Sequence, residues 1–109
     1  MKIVNFSESN SILNQFLKEI RSVDIQKDSM RFRRNMERMG EIMAYEISKT
    51  LNYKPDKIKT PLGSLESFRI DEKLVLSTIL RAGLPFHQGF LNYFDAAENA
   101  FVSAYRKYK

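Results

Sequence analysis

The stretch TILRAGLPFHQG, Thr78 to Gly89, sets an arginine, an alanine and a glycine directly after an aliphatic run and just before a leucine and a proline. Residues of those types in that order suit the binding of an anion. Gly83 permits a tight turn and a close backbone approach, successive N–H groups can form an anion nest, and the Arg81 guanidinium is a planar fork that matches phosphate oxygens. A second arginine, Arg106, stands 25 positions later at the end of another strand-like segment, NAFVSAYR. If the two segments are neighbouring parallel strands, their carboxyl ends bring two guanidinium groups to one rim, a spacing suited to a pyrophosphate-sized anion. The competing reading is plainer: an arginine after a buried strand marks the place where the chain meets water.

Composition narrows the other chemistries. The 109 residues contain no cysteine and a single histidine, His87, which excludes disulfides, thiolate zinc sites, cysteine nucleophiles and a histidine-built metal cluster. His87 follows Pro85 with no acid placed beside it by spacing, so a packing or helix-surface role is expected rather than catalysis. The formal net charge of +5 is compatible with a nucleic acid or with a small polyanion such as a phosphate ester, and charge alone does not choose between them. Arg31, Arg33, Arg34 and Arg38 form a basic patch, but Asp28 and Glu37 are interspersed and no RNA-binding or helix-turn-helix signature accompanies it. A solvated face or a subunit contact is the expectation for this patch.

Helical and strand periods then say what positions these groups. Ile12, Leu13, Phe16, Leu17 and Ile20 recur at helical spacing and predict an amphipathic helix over about 10–21. Phe32, Met36, Met39, Met43 and Ile47 predict a longer helix over about 28–51, capped by Asp28 or Ser29, with its methionines in a core stripe. Tyr45 and Glu46 on it are expected to serve packing and an ion pair. The segment NYKPDKIKTPLGSLESFRIDEK loses that period, carries Pro55, Pro61 and Gly63, and predicts a β-hairpin or irregular arm. LVLSTIL, Leu74 to Leu80, has the pattern of a strand buried on both faces, as in a parallel sheet covered by helices. Pro85 suits the first turn of a helix whose apolar side is Phe86, Phe90, Leu91 and Phe94, and a strand follows. Strand, helix and strand within about 35 residues make a βαβ unit.

The hydrophobic content of 43% suits one small domain burying about two thirds of its surface. No apolar run approaches the roughly 20 residues that span a bilayer. The N-terminal MKIVNFSESN turns polar too early for a secretory signal, so a cytoplasmic protein is expected, with no membrane partner.

The strings TILRAGLPFHQGFLNYFD and AENAFVSAYRKY resemble the uracil phosphoribosyltransferases, whose first sheet strand typically ends in I-L-R-A-G-L and whose next ends in Y-R. RFRRNMERMGEIMAYEISKTL is similar to their long N-terminal helix, with its F-R pair at Phe32-Arg33 and Y-E pair at Tyr45-Glu46, and TPLGSLESFRI to the arm that follows. The resemblance implies an α/β fold of the type I phosphoribosyltransferase kind, with two N-terminal helices and an arm over about 1–72 and the first βαβ unit over about 73–109. It implies transfer of phosphoribose from 5-phosphoribosyl 1-pyrophosphate to uracil, giving uridine monophosphate and pyrophosphate in pyrimidine salvage, with Mg²⁺ accompanying the pyrophosphate. It assigns Arg81, Ala82 and Gly83 to the loop that holds the pyrophosphate, and Arg106 to the same substrate. It also implies small-molecule partners, no nucleic acid, and a homo-oligomer in the full-length family. The loop is further expected to hold a non-proline cis peptide at Arg81–Ala82.

The family's second half carries a D-P-x-x-A-T-G-G-S-like loop for the ribose phosphate and a late glycine-rich segment that selects uracil. Neither is in this chain. The expectation is therefore an N-terminal portion only, holding the pyrophosphate half of the site and inactive alone.

Overall fold

Ser11 accepts a hydrogen bond from the Leu13 amide at 3.2 Å and so starts helix α1, Ile12–Arg21, after a single 3₁₀ turn at Phe6–Glu8. The computed structural model of the chain describes residue 3 and residues 5–104. A one-turn helix not expected from the sequence, α2 at Val23–Gln26, leads to helix α3, Ser29–Ser48. Asp28 caps α3 by accepting from the Arg31 amide at 3.1 Å, and α3 ends three residues before the expected Leu51, where successive amides of Lys49, Thr50 and Leu51 bond back three residues. Leu13 on α1 and Met39 on α3 are buried, as the helical periodicity predicts, and so is Ala44 outside the predicted stripe, whereas Ile12 and Ile47 of the predicted stripes are exposed. The two helices are also tied by polar groups: Asn35, fully buried, donates to Glu19 at 2.7 Å, and Arg38 stacks over the Phe16 ring at 5.3 Å.

Strands β1, Tyr53–Thr60, and β2, Gly63–Ile70, form an antiparallel hairpin in which Thr60 pairs with Gly63. Gly63 has φ 132°, a conformation that only glycine adopts readily, and it turns the chain there. The hairpin is anchored at its base, where the Tyr53 hydroxyl donates to the Ser48 carbonyl and Asn52 donates to Glu72. Beyond that base it projects: Leu62, Leu65 and Phe68 are exposed, and the molecule measures 62 × 33 × 30 Å. Its radius of gyration of 17.6 Å exceeds the roughly 13 Å of a compact domain of this length.

Strand β3, Val75–Leu80, and strand β4, Glu98–Ser103, pair in parallel, with helix α4, Leu84–Tyr93, crossing between them. The βαβ unit expected from the sequence is therefore present. The two-sided burial of β3 is not: burial alternates, with Val75 57% and Ile79 60% exposed. Among the described residues only α4 covers this sheet, so only one face is covered. The whole chain exposes 9017 Å², against about 6,300 Å² for a compact monomer of its mass. On that scale it buries about half of its unfolded surface, below the two thirds expected.

Helix α4 is held to α3 by a contact between glycines. A Cβ on Gly89 would collide with the Glu37 carbonyl and stand 2.9 Å from the Gly40 Cα, and one on Gly40 would strike the Phe86 carbonyl. Asn92 flanks the contact and donates to Glu37 at 2.8 Å and to Glu41 at 3.3 Å. Alanine for glycine inside a helix ordinarily gains about 1 kcal/mol. Gly89→Ala is expected instead to cost about 1–3 kcal/mol, because the obstructing atoms are backbone and cannot rotate away. Urea denaturation followed by circular dichroism measures this, and a neutral result would mean that the helices lie further apart.

Candidate anion-binding loop

The parallel sheet sends the chain out of β3 at Leu80 and into α4 at Leu84, leaving Arg81, Ala82 and Gly83 as the connection. The turn closes on itself: the Gly83 amide donates to the Ile79 carbonyl at 3.1 Å and the Leu84 amide to the Arg81 carbonyl at 3.1 Å. The amides of Arg81 and Ala82 make no backbone hydrogen bond among the described residues, and neither does the Arg81 side chain make an ion pair there. Arg81 and Ala82 are exposed. Pro85 occupies the first turn of α4, where a missing N–H costs nothing.

Gly83 is required by space rather than by dihedral angle. Its φ of −75° is ordinary, but a Cβ there would collide with the Thr78 hydroxyl and lie 2.7 Å from the Ile79 carbonyl. The loop thus folds tightly back on its own strand. A shallow hollow of about 560 Å³ opens beside it, lined by Ser77, Thr78, Ile79, Leu80, Ala82 and Gly83. The cis peptide lies at Leu80–Arg81, one bond earlier than the expected Arg81–Ala82. Arg106, the second arginine expected at this rim, lies outside the described residues.

His87 has the packing role expected of it. It is buried, its Nε2 is 2.7 Å from the Asn99 Oδ1, and its ring lies 5.1 Å from that of Phe101. Its backbone amide donates to the Gly83 carbonyl at 2.8 Å, so one residue touches the loop, the helix and β4. Nothing in the sequence around Asn99 singles it out. The parallel register supplies the missing signal, since Leu76 pairs with Asn99 and Thr78 with Phe101, which puts both on the α4 side of the sheet.

The basic patch on α3 is locally engaged. Arg31 meets Glu19 at 3.5 Å and Asp28 at 3.9 Å, Arg34 meets Glu37 at 3.4 Å, and Arg38 reaches Asn35. Glu46 pairs with Lys49 at 3.3 Å, the ion pair expected of it, and Tyr45 lies beneath the same lysine. Exposed pairs of this kind contribute little to stability. Among the described residues no group of three or more histidine, aspartate or glutamate side chains is placed to hold a metal ion.

A double-mutant cycle on His87→Leu and Asn99→Leu is expected to show a coupling of about 1 kcal/mol in urea denaturation. Zero coupling would mean that α4 and β4 are not joined by this hydrogen bond.

Comparison with known proteins agrees with this geometry. A family model described as uracil phosphoribosyltransferase matches residues 7–109. A uracil phosphoribosyltransferase of Porphyromonas gingivalis is 59% identical over 109 residues, all of this chain and 50% of that protein. One from Pyrococcus furiosus is 35% identical over 106 residues, 95% of this chain and 44% of its own. The solved structure of the AQ2163 protein from Aquifex aeolicus superposes with a TM-score of 0.74 at 24% identity, over 85% of this chain and 44% of that one, a likeness of fold. The chain thus spans about half the length of the curated relatives it matches. A parallel strand that runs into Arg81-Ala82-Gly83, the helix that follows, and a family match over 7–109 lead to one conclusion: this chain belongs to the uracil phosphoribosyltransferase family.

Proposed function

We propose that this chain supplies the pyrophosphate-binding half of a uracil phosphoribosyltransferase site. In this reading 5-phosphoribosyl 1-pyrophosphate sets its diphosphate against the Arg81–Gly83 loop, and Arg106 reaches the same group from the end of the second strand. The observation that carries the reading is the loop itself. It stands at the carboxyl end of a parallel strand and at the N-terminus of a ten-residue helix, with the Arg81 and Ala82 amides free of backbone hydrogen bonds among the described residues and the Arg81 guanidinium exposed.

The chemistry asked of these groups is electrostatic. As the bond from ribose C1 to the pyrophosphate oxygen breaks, positive charge develops on the sugar and negative charge on the departing group. Fixed N–H donors and a guanidinium beside the departing oxygens favour that separation. The bond to the ribose is then made by a uracil ring nitrogen, which gives up its proton. Mg²⁺ would enter bound to the pyrophosphate oxygens, since the residues lining the loop's hollow carry no carboxylate.

Small phosphorylated substrates suit the surface better than a nucleic acid does, because Arg31 and Arg34 are already occupied by carboxylates on their own face. Among the described residues no helix is long and apolar enough to cross a membrane, and a cytoplasmic location is part of the same proposal. So is self-association, for which the projecting hairpin is the available surface.

Titration calorimetry with pyrophosphate and with phosphoribosyl pyrophosphate tests the reading. The chain should bind both, and Arg81→Ala should weaken binding at least about tenfold, the worth of a hydrogen bond to a charged group. Equal binding by the variant would refute it. Incubated alone with uracil and the ribosyl donor, the chain should form no uridine monophosphate.

A further inference from the structure

The His87 ring ties helix α4 to strand β4. Among the described residues, the hydrogen bond and the ring contact that join these two elements are both its own, through Asn99 and Phe101. In the parallel register Asn99 stands opposite Leu76 and Phe101 opposite Thr78, so the tie lies on the α4 side of the sheet. An aliphatic side chain at position 87 would serve packing there. What the imidazole adds is direction. A buried polar pair is satisfied at one separation, here 2.7 Å from Nε2 to the Asn99 Oδ1, and moving either element leaves both partners without their hydrogen bond.

That separation matters one turn upstream. The His87 amide donates to the Gly83 carbonyl at 2.8 Å, which joins residue 87 to the loop through the main chain. Gly83 is the N-cap of α4 and no side chain caps the helix, so the place of the loop follows the place of the first turn. On the α3 side α4 is held by Gly40 against Gly89 and by Asn92 in the last turn. On the β4 side its first turn is held, among the described hydrogen bonds and ring contacts, by His87.

We infer that His87, acting through Asn99, is a positioning residue for the diphosphate. Its side chain holds α4 so that the amides of Arg81 and Ala82 and the Arg81 guanidinium meet one anion together. The inference rests on the pyrophosphate reading of that loop and adds to it a pair of residues outside the loop. A binding constellation keeps its preorganisation only when the contacts behind it are themselves fixed.

Titration calorimetry with pyrophosphate tests this on the chain as it is and on its variants, with circular dichroism to show that each is folded. His87→Leu keeps an apolar filler and loses the hydrogen bond, and should weaken binding at least about tenfold. His87→Gln puts an amide group close to the place of Nε2 and should bind nearly as the parent does. His87→Asn reaches only to the place of Nδ1 and should be as weak as His87→Leu. Asn99→Leu should match His87→Leu, and the two together should be no weaker than either alone, because one hydrogen bond is lost in all three. Affinity of the folded chain is the deciding readout, since a role in packing alone lowers stability and leaves it unmoved.

Parent-like pyrophosphate binding by folded His87→Leu would overturn this inference and leave the proposed reading of the loop standing. Absence of pyrophosphate binding by the parent would overturn both. Losses that add in the double variant would give the two residues separate roles and overturn the inference as well. Should His87→Leu fail to fold, equal affinities of His87→Gln and His87→Asn would do the same.

Discussion

Helix α4 can lie where it does because Gly40 faces Gly89. No side chain separates the two backbones there, and a single methyl group on either residue would meet main-chain atoms of the other helix. The position of α4 matters because α4 begins at the Arg81–Gly83 loop. A helix standing further from α3 would carry its N-terminus, and the donors around it, away from the end of β3. The hydrogen bonds from Asn92 to Glu37 and Glu41 beside the contact fix the rotation of α4 about its own axis. Close approach thus gives depth and polar contacts give register, a division of labour common where helix backbones touch.

The same helix is tied at its other face by His87. Its hydrogen bond to Asn99 joins α4 to β4, while its amide bonds to Gly83 and its ring packs beside Phe101. A buried polar pair in an otherwise apolar contact restricts the relative positions the two elements can take, because a shift would strand one partner. The loop is therefore bounded on three sides, by its own strand through Gly83, by α3 through α4, and by β4 through His87.

Much of this was legible in the sequence, because local periods report local structure. Ile12, Leu13 and Phe16 announce α1, Asp28 announces the cap of α3, and Pro55, Pro61 and Gly63 announce the hairpin. Pro85 after an aliphatic run gives the βαβ unit. What escaped depends on contacts between residues far apart in the chain. Gly40 and Gly89 are unremarkable where they stand, since nothing around either names its partner 49 positions away. Asn99 becomes meaningful only once the parallel register is known. The aliphatic run at Leu74–Leu80 suits burial on both faces, whereas burial alternates along β3 because, among the described residues, only α4 covers the sheet.

The alternating exposure of β3 leaves the proposed anion loop untouched. The loop's shape depends on contacts made within the chain: the Ile79 carbonyl, the Thr78 side chain, the start of α4 and the bond from His87. None of these involves the open face of the sheet, which lies on the other side of β3. The donors of the proposed site are thus organised without contacts to that face, and an anion would not have to order them at its own cost. Transfer to a second substrate is more demanding, because the acceptor must be held within about 3–3.5 Å of the ribose carbon along one direction. In the proposed reading one loop fixes one end of the donor and leaves the other end free to swing, so that binding of the diphosphate would rest on contacts present in this chain and catalysis on a site that grips the donor at both ends.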